Sequence, residues 1–204
     1  WDFGDAATSY TQNTTHAYSA AGNYVITHTV TDINGCNDTQ TANITIFPKP
    51  SCNINYAGLT TFCAGGNLVL TACAGLSGYQ WFLNGNSIPS ANSSNFSATL
   101  TGNYHFTASN GNGCLVISDT VNITVTQPPS AALVSSGGTC EGDVYTLSIP
   151  PCNSCTFVWL DNNINVPGTN NSNSISINVT NTNLGSHNYT VIVTNASGCN
   201  NTGT

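Results

Sequence analysis

The chain has very little charge, and this absence excludes several kinds of partner. Its 204 residues include one lysine, Lys49, no arginine and eight acidic residues, which gives a net charge of -7. Charged residues make up 4% of the chain, whereas soluble domains have roughly 25%. Without a basic patch the chain cannot neutralise phosphates, so we expect no nucleic-acid partner and no polybasic attachment to membranes. Little like-charge repulsion opposes lateral association of such a surface.

Targeting and membrane-spanning features are also missing. The sequence has no apolar run long enough to span a bilayer, no signal peptide and no lipidation motif. We therefore expect no membrane insertion. Since the chain begins directly with Trp1-Asp2-Phe3, we interpret it as an internal segment of a longer protein.

Three blocks of the chain repeat a common pattern. Each block has a tryptophan, then a tyrosine in an alternating segment, then a Gly-Cys pair. The tyrosine follows the tryptophan by 23 residues in the first two blocks and by 30 in the third. We predict that these six aromatic residues lie in the module cores: Trp1 and Tyr24, Trp81 and Tyr104, and Trp159 and Tyr189.

The alternation of apolar and polar residues predicts strands. Segments such as Asn43-Ile44-Thr45-Ile46 alternate with period two, and no window has a helical period. Short strands around a buried tryptophan indicate an all-β chain of tandem immunoglobulin-like β-sandwich modules, three in number, with the first and last incomplete. Prolines mark stiff junctions. The predicted division is the C-terminal part of a sandwich at 1–47, a linker at 48–50, a sandwich at 51–126, a linker at 127–129, and a sandwich lacking its last strand at 130–204.

The first block resembles the PKD domain family. The motif residues are Trp1-Asp2-Phe3-Gly4-Asp5, His16-Ala17-Tyr18, Gly22-Asn23-Tyr24-Val25-Ile26 and Val30-Thr31-Asp32-Ile33-Asn34-Gly35-Cys36. Two positions depart from the family pattern, since Ala6 stands where the family usually has glycine and His28 takes an apolar position. The resemblance implies a sandwich whose first strands precede Trp1.

The second and third blocks resemble the PKD-related or immunoglobulin-like repeats of giant surface proteins of the Bacteroidetes phylum. The carrying residues are Cys63-Ala64-Gly65 and Cys140-Glu141-Gly142, with a Gly-Cys element near the end of each block. This resemblance implies extracellular adhesins or gliding-motility filaments exported by the type IX system. It also implies O-glycosylation at Thr120, within Asp119-Thr120-Val121. The expected partners are neighbouring repeats, or further copies in a filament, and surface polysaccharide.

Nine cysteines in a chain of this composition indicate an oxidising compartment. Four fall in the second block and four in the third, which predicts disulfides within each module: Cys52, Cys63, Cys73 and Cys114, and Cys140, Cys152, Cys155 and Cys199. In an immunoglobulin-like topology Cys73 and Cys114 lie at the same pole, so we predict that they pair. By the same logic Cys199 pairs with Cys152 or Cys155. Cys36 is left over, and we expect its partner in a preceding part of the first module.

Metal sites and catalysis have weaker support than structural roles. A zinc site using Cys152 and Cys155 would need a second pair of this spacing. Asp2, Asp5 and Asp32 are calcium candidates, but we favour their use in capping backbone amides. Cofactors are therefore not expected. A triad of His16, Asp5 and Ser9 lacks a nucleophile elbow, and Glu141 is the only glutamate, which argues against glycoside hydrolysis.

Two classes of function remain, neither of them enzymatic. The first is an extracellular structural or adhesive repeat region that forms a stalk, fibre or cell-surface filament. The alternative is a spacer or carbohydrate-binding region of a secreted multidomain enzyme. For the alternative, four aromatic residues could form a sugar-binding face, although we expect them to point into the core: Tyr79, Trp81, Phe82 and Phe96.

Overall fold

The chain is all-β. The computed structural model describes residues 1–169, 171–181 and 185–204, and within these ranges it contains 18 strands and no helix. Its sheets form tandem immunoglobulin-like β-sandwich modules, as the sequence predicts. By contacts the chain divides into two compact units: one comprises Trp1–Asn55, Leu70–Phe96 and Asn103–Val121, and the other comprises Tyr56–Val69, Ser97–Gly102 and Asn122–Thr204. This division does not test the predicted module boundaries, which stay predictions.

The first block contains a long antiparallel hairpin. Strand β1 (Gly22–Thr31) pairs with β2 (Asn37–Ile46) along its whole length, from Gly22 opposite Ile46 to Thr31 opposite Asn37. The preceding segment joins the hairpin through Asp2, which exchanges two backbone hydrogen bonds of 2.8 Å with Thr27.

The second block contains nine short strands. They are β3 (Asn55–Tyr56), β4 (Thr61–Cys63), β5 (Leu68–Thr71), β6 (Ser77–Leu83), β7 (Asn86–Ser87), β8 (Asn95–Ala98), β9 (Gly102–Ser109), β10 (Leu115–Ile117) and β11 (Val121–Thr126). Strand β6 pairs antiparallel with β7 and β9, and β10 pairs with β9. Strand β4 instead pairs in parallel with β11. This parallel pair places Cys63 opposite Thr126, directly before the predicted linker.

The third block contains seven strands in two sheets. They are β12 (Val134–Gly137), β13 (Val144–Ser148), β14 (Thr156–Asp161), β15 (Ile164–Asn165), β16 (Ser174–Asn178), β17 (Tyr189–Thr194) and β18 (Asn200–Gly203). One sheet has the order β12-β13-β16 and the other β15-β14-β17-β18. Their inner faces enclose a core of Ala131, Leu147, Ile149, Phe157, Trp159, Ile175, Val191 and Val193.

Two of the predicted tryptophans fill their cores in the same way. Trp81 and Trp159 are fully buried. The indole Nε1 of Trp81 donates to the Ser93 carbonyl oxygen, and that of Trp159 donates to the Ser172 carbonyl oxygen, both at 2.9 Å. Each ring thus buries its apolar body while its polar atom is satisfied by a loop carbonyl.

The other predicted core aromatics divide into two groups. Tyr104 is buried, which confirms its prediction, whereas Trp1, Tyr24 and Tyr189 are only half-buried. The rings of Trp1 and Tyr24 adjoin a sheet of two strands, which covers fewer of their faces than two packed sheets would. The core prediction is therefore wrong for Trp1 and Tyr24, whereas Tyr189 is partly buried and packs against the core of the third block.

The turn after Trp1 requires unusual backbone angles at two positions. Gly4 has φ +78°, and a Cβ there would lie 2.7 Å from the carbonyl oxygen of Val25. Ala6 has φ 71°, a left-handed conformation that costs an L-residue roughly 1–2 kcal/mol. Ala6, which departs from the family pattern, thus has a strained backbone conformation.

We expect the substitution Ala6→Gly to stabilise the chain by about 0.5–1 kcal/mol. Glycine adopts the left-handed conformation without a Cβ penalty, and this gain exceeds the entropy that glycine adds to the unfolded chain. Thermal unfolding measures the change. The control is Ala7→Gly, which lacks a positive φ and should lower the unfolding temperature; a lower temperature for Ala6→Gly as well would contradict the prediction.

Candidate functional site: a cross-linked linker

Each block carries the same turn, which ends at the cysteine of its Gly-Cys pair. An aspartate or asparagine side-chain oxygen accepts backbone hydrogen bonds from the residues two and four positions later, at 2.8–3.0 Å. The main chain of the same residue also bonds to the cysteine carbonyl and to the glycine N–H. The three turns span Asp32–Cys36, Asn110–Cys114 and Asn195–Cys199.

The sequence contains a signal for these turns that goes beyond the Gly-Cys pair. In every block an Asp or Asn stands four residues before the cysteine, and an Asn or Ser stands two before it. Asx side chains that bond backbone amides two residues on are a known turn former. The repeat pattern identified the Gly-Cys pair but missed the Asx residue, which makes most of the bonds.

The third turn also binds the proline linker. The Asn195 Nδ2 donates to the Gln127 carbonyl oxygen at 3.1 Å, while its Oδ1 closes the turn. The Asn201 Nδ2 donates to the Pro129 carbonyl oxygen at 3.0 Å. Prolines have no N–H to offer, so the linker is held through its carbonyl groups.

A disulfide fixes the start of the same linker. Cys63 is bonded to Cys199, with 5.5 Å between their Cα atoms and a sequence separation of 136. Cys199 is 1% exposed, and its sulfur lies 3.7 Å from the carbonyl oxygen of Thr126. Because Cys63 ends β4 and Thr126 ends β11, the bond joins this parallel pair to the turn. We call this arrangement the linker clamp: Cys63, Thr126–Pro129, Asn195, Cys199 and Asn201.

The disulfides differ from the predicted pairings. Cys73 is bonded to Cys52, not to Cys114, and the N–H of Cys73 lies against the Cys52 sulfur at 3.1 Å. Cys199 is bonded to Cys63, so the prediction of a bond to either member of the third-block pair is wrong. The even count in each block misled, because one bond joins two blocks.

The remaining cysteines comprise one bonded pair, as expected for residues of the third block, and three free thiols. Cys152 and Cys155 are bonded to each other, so they offer no thiolates for zinc. Cys36 and Cys140 are exposed free thiols, and Cys114 is a half-buried one. The predictions of disulfides at Cys114 and Cys140 within their own modules are therefore wrong. The expected partner of Cys36 in a preceding segment stays a prediction.

The calcium candidates are committed to turns. Asp2 accepts from the Gly4 N–H at 2.8 Å, and Asp5 accepts from the Ala7 N–H at 3.1 Å. Asp32 closes the turn described above. The described residues contain no group of three or more His, Cys, Asp or Glu side chains that could hold a metal ion. The carboxylates thus act as caps for backbone amides.

His16 belongs to an aromatic stack. Its Nε2 lies 2.7 Å from the Asp5 Oδ2, and its ring stacks on Phe3 with centroids 4.2 Å apart. The hydrogen bond with His16 lowers the pKa of Asp5, against the opposing effect of burial. The Ser9 hydroxyl pairs with the Thr11 hydroxyl at 3.0 Å. Ser9 therefore does not pair with His16, as a catalytic triad of these residues would require.

The candidate sugar-binding aromatics point in different directions. Trp81 is in the core, stacked on Phe96 with centroids 5.7 Å apart. Tyr79 donates its hydroxyl to the Cys73 carbonyl oxygen. Phe82 instead stacks on His105, with centroids 4.8 Å apart and planes 4° from parallel, and both rings are half-buried. This stacked pair is therefore the candidate for an aromatic face.

Comparisons with known proteins match the first block to one family. Residues 1–46 match the PKD domain family, which confirms the predicted resemblance for that block. The chain is similar to murine CEACAM1b at 15% identity and TM-score 0.35, over 72% of this chain and 93% of that one. It is also similar to fibronectin(III)-like modules of Clostridium thermocellum CbhA, at 13% identity and TM-score 0.33, over 73% and 88%.

A third similar structure is SGBP-B of the mixed-linkage glucan utilization locus of Bacteroides ovatus, in complex with a mixed-linkage heptasaccharide. The identity is 17% and the TM-score 0.24, and the match covers 88% of this chain but 48% of that one. In the described ranges no helix is long and apolar enough to cross a membrane.

We expect the first turn to weaken in acid and the other two to be unaffected. Hydrogen bonds from the N–H groups of Cys36 and Asn34 lower the pKa of Asp32 below its ordinary value of about 3.9. Stability from this turn is therefore complete above the unfolded-state pKa and is lost as the pH falls through the lowered value. Amide proton chemical shifts of Cys36, measured between neutral pH and about pH 2, report the loss.

Asn110 and Asn195 accept the same bonds without titrating, so the amides of Cys114 and Cys199 are internal controls. The variant Asp32→Asn should remove the pH dependence at Cys36. Identical acid behaviour of all three amides would contradict the assignment.

We expect Asn195→Ala to destabilise the chain more than Asn110→Ala does. Both substitutions remove a side-chain oxygen that accepts two backbone hydrogen bonds, but only Asn195 has a described bond to the linker, at Gln127. The difference between the two variants should be about 0.5–1.5 kcal/mol, the net contribution of one hydrogen bond. Urea unfolding measures it, and equal losses would show that the bond to Gln127 contributes nothing.

Proposed function

We propose that the chain is a non-catalytic repeat region of an extracellular protein, and that its modules form a load-bearing stalk, fibre or cell-surface filament. The observation that carries this proposal is the disulfide between Cys63 and Cys199 across the proline linker. A binding or catalytic module needs no covalent bond at a linker. A stalk gains from one, because a covalent bond keeps the joined segments from separating under tension.

The clamp gives force a covalent route around most of the chain. Tension applied to the two ends passes through the bond between Cys63 and Cys199, since these residues cannot separate while it is intact. Residues 64–198 then lie in a closed loop that carries no end-to-end extension. The enclosed sandwiches can unfold thermally, but their unfolding adds no length to the stalk.

The surface chemistry fits the same role. The chain relies on amides and hydroxyls for solubility, since charged residues are 4% of it. Such low charge leaves little repulsion to oppose lateral association between copies, as a filament requires.

The setting we propose is the outside of a cell. Three disulfides require an oxidising compartment, and the match of the first block to PKD domains supports the same location. The finer proposal is a Bacteroidetes surface adhesin or gliding-motility filament that is exported by the type IX system. Thr120 lies exposed between β10 and β11, where a glycosyltransferase could reach it.

A second candidate function is carbohydrate binding within a secreted multidomain protein. The observation that favours it is the stacked pair of Phe82 and His105. Sugars bind to flat aromatic surfaces through their apolar faces, and both rings of this pair are half-buried rather than fully buried.

We expect residues 64–198 to add length to the chain under tension only after reduction. Cys63 and Cys199 have a sequence separation of 136, which at about 3.3–3.6 Å per extended residue corresponds to roughly 450–490 Å. Single-molecule pulling from the two ends should therefore release this extra length in the presence of dithiothreitol and not in its absence.

The variant Cys63→Ser is the matched control, because it should release most of the extra length without reductant. Cys36→Ser, which removes an exposed free thiol, should behave like the unmodified chain. Equal extension of the oxidised and reduced chains would contradict the load-bearing role.

The carbohydrate candidate predicts retardation of the chain in gels that contain a neutral polysaccharide such as a β-glucan. Phe82→Ala should abolish the retardation because it removes one ring of the stacked pair. Val69→Ala, at an exposed apolar residue of another strand, is the control and should keep it. Unchanged migration of the unmodified chain in a panel of such gels would reject this candidate.

A further inference from the structure

The three free cysteines occupy the positions that are disulfide-bonded in the linker clamp. Cys36 and Cys114 close the same Asx turn as Cys199, with the same bonds to the side chain four residues earlier. Cys199 is bonded and the other two are not. They are therefore late cysteines, in the sense that each follows the Asx turn near the end of its block.

Cys140 occupies the position of Cys63. Both start a Cys-x-Gly segment, and in both the cysteine carbonyl accepts a 3.0 Å hydrogen bond from the N–H three residues later, at Gly66 and at Asp143. The glycines at the third position have nearly the same backbone angle, with φ +92° at Gly65 and +95° at Gly142. Cys140 is thus the early cysteine of its block.

The bonded pair shows which of these positions pair with each other. Cys63 is the early cysteine of the second block, and its partner is the late cysteine of the third block. The clamp thus has a direction, since the early cysteine of one module bonds the late cysteine of the following module. Cys140 has no such partner in the chain, and neither late cysteine of the first two blocks has an early partner.

We propose that Cys140, Cys114 and Cys36 form the same clamp with further copies of this module. Cys140 bonds the late cysteine of a following module, and Cys114 and Cys36 each bond the early cysteine of a preceding one. For Cys36 this replaces the expectation of a partner within its own module. This inference rests on the proposed function, because it requires an array of repeats. The result is a ladder of disulfides in which every linker is bridged.

The exposure of the thiols is consistent with this assignment. Cys36 and Cys140 are exposed, and Cys114 is half-buried, whereas the bonded Cys199 is 1% exposed. Cys199 is covered by Cys63 and by the end of β11 near Thr126. We therefore expect the free positions to become buried once a neighbouring module supplies the same elements.

The chemistry is an ordinary two-electron oxidation by thiol–disulfide exchange. Two cysteine thiols lose two protons and two electrons and form one S–S bond. The acceptor is the disulfide of an oxidised thiol oxidoreductase in the export compartment, which is converted into two thiols. No other reactant is needed.

Disulfide mapping of the native protein that contains this sequence tests the proposal. Free thiols are first blocked with iodoacetamide, and the unreduced protein is then digested with pepsin at acid pH, which suppresses exchange. Mass spectrometry should find the Cys140 peptide linked to a peptide with an Asx-x-x-Gly-Cys sequence. It should find the Cys114 and Cys36 peptides linked to peptides with a Cys-x-Gly sequence.

The source of the partner is settled by the size of the unreduced, denatured protein. A decrease in apparent mass upon reduction to that of one chain assigns the partner to a second polypeptide, and one chain mass throughout assigns it to the same polypeptide. The variant Cys140→Ser should release one new alkylatable cysteine, in an Asx-x-x-Gly-Cys sequence.

Recovery of Cys140 and Cys114 in alkylated form, or linked to each other or to glutathione, would overturn the proposal. The Cys63–Cys199 and Cys52–Cys73 peptides are the internal controls. Failure of the ladder is distinct from failure of the proposed function, because the extension of the chain under tension depends on the Cys63–Cys199 bond alone.

Discussion

The disulfide between Cys63 and Cys199 is the interaction on which the proposed function of this chain depends. It is short in space and long in sequence, so it restricts the unfolded chain more than either of the other two disulfides does. It works because the Asx turn at Asn195 presents Cys199 at a fixed place beside the linker. The side chain of Asn195 both closes that turn and holds the linker carbonyl of Gln127.

Side-chain amides in this chain make the polar contacts that ion pairs make in other proteins. With one lysine and no arginine, the chain has almost no salt bridges to form. Asn195 and Asn201 instead donate to linker carbonyls, and Asn84 accepts from the Asn103 N–H at 2.9 Å. Neutral hydrogen bonds are insensitive to salt and, apart from turns closed by Asp, to pH. Such a surface suits a structure that must persist in a variable external medium.

The sequence was sufficient for the fold but not for the cross-links. Strand alternation and the recurring tryptophan predicted the burial of Trp81 and Trp159. This succeeded because the sequence pattern that places a large ring inside a sandwich is local and repeats from block to block. Disulfide pairing is not local, and eight cysteines allow 105 pairings. Counting cysteines by block favoured bonds within modules, and nothing in the composition indicated that Cys63 reaches a turn 136 positions away. The repeat itself held the missing signal, since the Asx residue and the cysteine recur together.

The most direct test of the clamp is the oxidation state of each cysteine, measured by the 13Cβ chemical shifts of the 204-residue chain. We expect oxidised Cys63 and Cys199 and reduced Cys36, Cys114 and Cys140 in the unmodified chain. In the variant Cys63→Ser, Cys199 alone should convert to the reduced form. An oxidised Cys199 in that variant would show that its partner is elsewhere, at Cys152 or Cys155 for example, and would contradict the central claim.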